Sequence, residues 1–294
     1  EGMRQHFELG QVLKKRYQGF LNETYNRHEI WVRSTDYDRT LMSAEANLAG
    51  MYPPDGSQVF NPSLDWQPIP VHTVPQSEEQ LLSFPQPSCP RYEKLMNESR
   101  QTEAFLNMTR TYKAQHNLTA PDWVTPEVMT NLRKLKNFSF QLMFGVYKRE
   151  EKCRLQGGIL LHQIVKNISA SAVPNHKKPL KMVVYSAHDT TMVALQSALN
   201  VFNGKQPPYA ACHMFELFQE DNGSFSVAMF YRNDSSKEPY PLALPGCAQY
   251  CPLQEFISLI NPVIPVNREQ ECQITAERKD TEQARAFLSL SWSC

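Results

Sequence analysis

The strongest constraint on this chain is a junction. An apolar, β-branched run from Leu180 to Tyr185 stops at Ser186-Ala187-His188-Asp189-Thr190-Thr191, and Met192, Leu195 and Leu199 then recur at helical spacing. A short, nearly uncharged run of this kind suits a strand buried on both faces of a parallel sheet. The order strand, loop, helix puts the loop in the crevice at the strand's carboxyl end, where open α/β sheets bind their ligands. His188 and Asp189 fall in that loop. An imidazole binds or transfers protons near neutral pH, and a neighbouring carboxyl can serve as general acid. The same dipeptide also reads as a capping Asp beside a packed His, so alone it does not decide between chemistry and structure.

A second junction repeats the geometry. Ile30-Trp31-Val32 runs into Arg33-Ser34-Thr35-Asp36-Tyr37-Asp38-Arg39, after which Tyr37, Leu41, Ala44, Leu48 and Met51 mark an amphipathic helix closed by Pro53-Pro54. Arg33 therefore also stands at a strand's carboxyl end. Its planar guanidinium matches two oxygens of a phosphate or carboxylate, and the following helix start offers free N–H groups. A cationic junction and a His-Asp junction together point to an anionic ligand. The structural alternative pairs Arg33 with Asp36 or Asp38 and makes Thr35 or Asp36 a helix cap.

These residues carry a resemblance. Arg33-Ser34-Thr35-Asp36, with Asp38-Arg39-Thr40 and Ser186 to Thr191, resembles the histidine acid phosphatases, nearest to their lysosomal and prostatic branch. Agreement continues, in order, through the segments beginning at Arg39, Trp66, Arg154, Pro207 and Leu244, and covers most of residues 1 to 272. The resemblance implies an α/β fold of the histidine phosphatase and phosphoglycerate-mutase type: a mostly parallel sheet with helices on both faces, plus a helical second layer. It implies two-step hydrolysis of phosphate monoesters through a phosphohistidine, with no metal and no cofactor. Asp189 then matches the general acid, and His188 and Arg33 match phosphate-binding residues. The nucleophilic His of the family lies on an Arg-His-Gly-x-Arg segment that corresponds to sequence upstream of Glu1, and no such segment occurs here. His6, in a helical pattern, and His28, in a charged loop, lack its context. The expectation is that this chain is inactive until that segment is supplied, and that it is a partial or alternative product.

Cysteines and sequons set the compartment. Asn-x-Ser/Thr begins at Asn22, Asn97, Asn107, Asn117, Asn137, Asn167, Asn222 and Asn233, a density that favours the secretory route, N-linked glycans and an oxidising lumen, lysosomal or extracellular. By resemblance, Cys89 pairs with Cys272 and Cys247 with Cys251. The Cys247-x-x-x-Cys251 spacing also suggests half a metal site, but no second pair supports zinc. By the same resemblance, Cys212 should pair within a helical stretch that is shortened here, around 109 to 115. That leaves the fate of Cys153, Cys212 and Cys294 open.

Composition bounds the rest. Thirty Lys and Arg balance thirty Asp and Glu, which argues against a nucleic-acid partner. No run of eighteen apolar residues encodes a membrane span, and the polar stretch from Thr275 to Arg285 favours a soluble product. Residues 1–75 and 154–272 read as the core domain, 76–153 as a mostly helical insertion and 273–294 as an unmatched tail. Helices are expected over 127–147 and 150–169, and a short strand over 71–74. Asp221-Asn222-Gly223 should turn a hairpin between 213–220 and 225–231. The segment from Trp66 to His72 matches a homodimer contact by resemblance; a Trp buried in an edge strand is the plainer reading. A non-catalytic glycoprotein and a mutase-like transferase are the competing functions.

Overall fold

A computed structural model of the chain describes residues 1–86, 88–108, 125–173 and 180–274. The sequon at Asn117, the shortened stretch at 109–115, Cys294 and the tail from 275 lie outside the described residues.

Both junctions fold as their patterns require. Strand β1 (Ile30–Ser34) leads into helix α2 (Asp38–Met51), which follows α1 (Gly2–Arg16) in the chain. Two glycines let α1 and α2 touch along their backbones. A Cβ on Gly10 would lie 2.0 Å from the Asn47 carbonyl oxygen, and one on Gly50 would lie 2.1 Å from that of Phe7. Strand β2 (Met182–Ser186) pairs with β1 in parallel, with Ile30 opposite Met182 and Ser34 opposite Ser186. On the other side of β1 the expected strand at 71–74 shrinks to one parallel bridge. The His72 N–H donates to the Val32 carbonyl (2.9 Å), and the His72 carbonyl accepts from Ser34 N–H (2.8 Å). Pro70 and Pro75 flank that stretch and bring no N–H to extend a ladder.

Beyond 86 come α3 (Pro90–Ser99), α4 (Pro126–Phe144), α5 (Arg149–Leu155) and α6 (Gly157–Ser171). The helix expected over 150–169 is thus broken, at Gln156, where the backbone turns to φ −121° and ψ −90°. Gly157 and Gly158 explain the break: a Cβ would sit 2.1 Å from the Ala194 carbonyl oxygen at the first and 1.9 Å from that of Val263 at the second. The glycine pair lets α6 press onto α7 (Asp189–Ala198) and onto the turn at Asn261–Val263. Phe140, Phe144, Leu160, Leu161, Val193, Leu195, Leu199, Val227, Met229, Phe256 and Ile260 close the main core around that contact.

The hairpin forms as read. Strands β3 (Cys212–Gln219) and β4 (Phe225–Arg232) pair antiparallel, with Gly223 at φ +81° in the turn. Strands β5 (Tyr240–Leu242) and β6 (Tyr250–Pro252) add to β4. Helix α8 (Leu253–Ile260) and a last turn, α9 (Arg268–Glu271), follow. Disulfides join Cys89 to Cys272 and Cys247 to Cys251, as expected; Cys153 and Cys212 carry free thiols. The Cys247 and Cys251 sulfurs lie near the Glu255 carboxylate, but their bond to each other removes them as metal ligands.

The sheet departs from the mostly parallel expectation. Among the described residues, parallel pairing is limited to β1, β2 and the His72 bridge, and the larger sheet is antiparallel. The reason is a slot. Among the described residues β2 pairs only with β1, and β3 only with β4, so each has an edge unpaired by them. Both edges line one cavity of about 2690 Å³. Leu9, Leu13, Ala44 and Leu48 of α1 and α2 also line it, as do Leu160, Ile164 and Leu195 of α6 and α7.

Candidate active site

Helix α7 begins directly after β2, so His188 and Asp189 stand at the carboxyl end of that strand and line the slot. The start of α7 is fixed by side chains. The His188 N–H donates to Thr191 Oγ1 (3.2 Å), and Thr191 Oγ1 donates to the Leu82 carbonyl (2.5 Å). Asp189 Oδ1 accepts from the Thr190 N–H (2.8 Å), and Oδ2 accepts from Gln206 Nε2 (2.9 Å). Gln206 is itself held through its backbone N–H by Asn137 Oδ1 (2.9 Å).

The His188 ring ties the two junctions together. Nε2 lies 3.0 Å from Thr35 Oγ1, and Nδ1 lies 3.3 Å from Arg39 Nη2. A guanidinium can only donate, so Nδ1 accepts and Nε2–H donates to Thr35, which assigns the tautomer. Thr35 Oγ1 is in turn 2.8 Å from Thr40 Oγ1. The ring of Tyr37 meets the imidazole edge-on, with centroids 5.0 Å apart. Burial, and secondarily the Arg39 charge, lower the His188 pKa below its ordinary value; Asp189 and Glu79 oppose that shift.

Arg33 lies opposite Tyr185 in the ladder, at the carboxyl end of β1. Its partner is neither Asp36 nor Asp38. Arg33 Nη2 donates to both carboxylate oxygens of Glu79, at 2.9 and 3.1 Å. Arg33 is absent from the residues lining the slot, whereas Arg39 lines it. No side-chain cap forms at α2 either: its cap residue is Tyr37, and Thr35 is spent on His188 and Thr40. The structure thus places the sequence candidates His188 and Asp189 together, with Arg33 at the neighbouring strand end, and sets beside them Glu79, Arg39 and Gln206, which sequence reasoning did not single out. Only Arg39 carried a signal, its place one turn into α2 beside the Arg33 junction.

His6 is half-buried on α1 and lines the slot, with its pKa lowered by burial. His28 is exposed and accepts from Arg27 Nε (3.3 Å).

Parallel strands feeding helices, with a His-Asp pair at the strand end, define the class, and the chain belongs to the histidine phosphatase superfamily, branch 2. The family model matches residues 1–113 and 103–232. Its relatives are acid phosphatases. The chain is 54% identical over 305 residues to lysosomal acid phosphatase of Xenopus laevis, covering 94% of this chain and 70% of that protein. Against the Homo sapiens lysosomal enzyme the figures are 53% over 312 residues, 96% and 73%. Against Homo sapiens prostatic acid phosphatase they are 44% over 315 residues, 96% and 81%. Among solved structures, the phytase from Citrobacter braakii superposes with a TM-score of 0.62 at 17% identity, covering 93% of this chain and 88% of that one. That likeness shows the fold. Membership of this family, with acid phosphatases as relatives, supports phosphomonoester hydrolysis.

Proposed function

We propose that His188, Asp189 and Arg33 form part of a phosphomonoesterase site, with Arg33 and His188 holding phosphate oxygens and Asp189 protonating the leaving alkoxide. The observation that carries this is the placement of His188 and Asp189 at the carboxyl end of β2, linked through Thr35 to the β1 junction. In this reading the phosphoryl group passes to a His on an Arg-His-Gly-x-Arg segment seated in the slot, and water then releases it as phosphate. Positioned cations meet the charge on the transferring oxygens, and splitting one transfer into two lowers each barrier. The reaction needs no metal.

The test is hydrolysis of p-nitrophenyl phosphate at about pH 5, where an acid-catalysed step of this kind operates. Hydrolysis should appear when the Arg-His-Gly-x-Arg segment is joined ahead of Glu1 and should fall steeply in its Asp189→Ala variant. Turnover unaffected by that substitution would refute the assignment of Asp189.

The remaining features fit a lumenal glycoprotein, lysosomal or secreted. Asn22, Asn97, Asn107 and Asn222 are exposed, as glycan acceptors must be, while Asn137 and Asn167 are half-buried. Among the described residues no helix is long and apolar enough to cross a membrane. The homodimer contact expected at Trp66 to His72 gains support from exposure. Trp66 is 40% exposed, contrary to the buried-Trp reading, and Phe60 at 62% and Leu64 at 42% lie near it in sequence. His72 stacks on Trp31 with centroids 5.6 Å apart.

A further inference from the structure

Glu79 is a buried carboxylate that accepts four hydrogen bonds from three groups. Its side chain is 2% exposed; Arg33 Nη2 reaches both oxygens, and Oε1 also accepts the N–H groups of Leu81 (2.8 Å) and Leu82 (2.9 Å). A buried anion is tolerated where hydrogen bonds and an opposite charge replace its water. Those backbone bonds also make the carboxylate a fixed point, since moving it would strand two N–H groups in a buried place. The segment that fixes it is anchored again at Leu82, whose carbonyl takes the Thr191 hydroxyl, and Thr191 holds the His188 N–H. One short stretch, 79 to 82, therefore braces the cation at the end of β1 and the imidazole at the end of β2.

The arrangement leaves Arg33 half used. Nη2 is committed to Glu79, whereas Nε is buried without a partner and Nη1 has no hydrogen bond among the described residues. A guanidinium gripped on one nitrogen loses the rotamer freedom that an anion would otherwise have to remove. We propose that Glu79 is a positioning residue that holds the Arg33 guanidinium for an incoming phosphate. This rests on the phosphate-site reading given above. It makes Glu79 part of the binding machinery, acting through Arg33.

The test is a double-mutant cycle on the intact chain, with inorganic phosphate as the probe and its Kd read by isothermal titration calorimetry. Glu79→Gln keeps the shape and removes the charge. It should raise the Kd about tenfold, the scale of one charge-assisted contact. Arg33→Ala should raise it at least as much, and the double variant should be no weaker than Arg33→Ala, because Glu79 acts only through Arg33. A merely structural role would give additive losses, which overturns the proposal. So does an unchanged Kd in Glu79→Gln, or a lower one, which would make Glu79 a competitor of phosphate. If Arg33→Ala itself binds phosphate as well as the unaltered chain, the phosphate-site reading falls too. If only Glu79→Gln is silent, that reading stands and the positioning role alone is lost.

Discussion

Thr35 Oγ1 sits 3.0 Å from His188 Nε2, across 153 residues of sequence. The contact makes one proton-ordered chain out of two junctions, running from Arg39 through the imidazole to Thr35 and Thr40. Arg39 stabilises the neutral ring twice over, by its charge and by occupying Nδ1. Arg39→Gln should therefore raise the His188 pKa, measured by NMR titration of the imidazole, and saturating phosphate should raise it in the unaltered chain. A His188 pKa that ignores both would show that the ring is insulated from the anion site.

A second imidazole sets acid stability. His213 lies on β3 between Phe215 and Tyr231, with Nδ1 3.4 Å from Gln196 Nε2 and Nε2 buried without a partner. Burial pushes its pKa from 6.5 down to about 3. The folded state thus disfavours a proton that the unfolded chain accepts. Its stability contribution is complete above the unfolded value and is lost as pH falls from 6.5 toward about 3, at up to about 1.4 kcal/mol per pH unit. His6 and His188, also lowered, add in the same direction. Urea midpoints should drop between neutral pH and pH 4, and His213→Gln should flatten that slope. An unchanged slope would show that His213 takes up its proton without disrupting the fold.

Backbone contact between helices makes a third prediction. Gly157→Ala would place a methyl 2.1 Å from the Ala194 carbonyl oxygen, and nothing flexible lies there to yield. The helix carrying His188 and Asp189 would have to shift, at a cost of about 1–3 kcal/mol typical of overpacking. Gly223→Ala is the control: its Cβ meets nothing within 4 Å, so only its φ of +81° is penalised, by about 1 kcal/mol. Chemical denaturation of both variants decides whether the α6–α7 contact is as rigid as its geometry demands.

What the sequence revealed of this fold was what period and punctuation encode. The strand-to-helix junctions at Arg33 and His188 were legible because an apolar run gave way to helical spacing, and the hairpin because Asn222-Gly223 demands a turn. The pairing of Arg33 with Glu79 was not legible, since the contact spans 46 residues, α2 and the long irregular stretch after it, and nearer acids, Asp36 and Asp38, offered themselves. The break at Gln156 was hidden because helical spacing continues across it; only the packing at Gly157 and Gly158 demands it. The antiparallel weight of the sheet was missed for a different reason: local pattern marks a strand but not which edge it leaves unpaired.

Those unpaired edges carry the last prediction. The five residues of β2 and the eight of β3 present unpaired backbone groups to one cavity, and apolar side chains from two helical layers face it from both sides. A strand that fits must be extended, five to eight residues long and apolar on both faces, as strands sandwiched between helices are. His213 Nε2–H, buried and unpartnered, adds a donor at the slot wall that a backbone carbonyl could satisfy. Joining such a run, ending in Arg-His-Gly-x-Arg, ahead of Glu1 should slow amide hydrogen exchange along Met182–Ser186 and Cys212–Gln219 together, because one strand pairs with both edges. It should also raise the melting temperature, since the inserted strand takes the apolar lining of the slot out of water. Protection of only one edge would mean that the slot is wider than a single strand. If neither edge gains protection, the cavity is not a strand site, and the nucleophile must reach His188 and Asp189 from elsewhere.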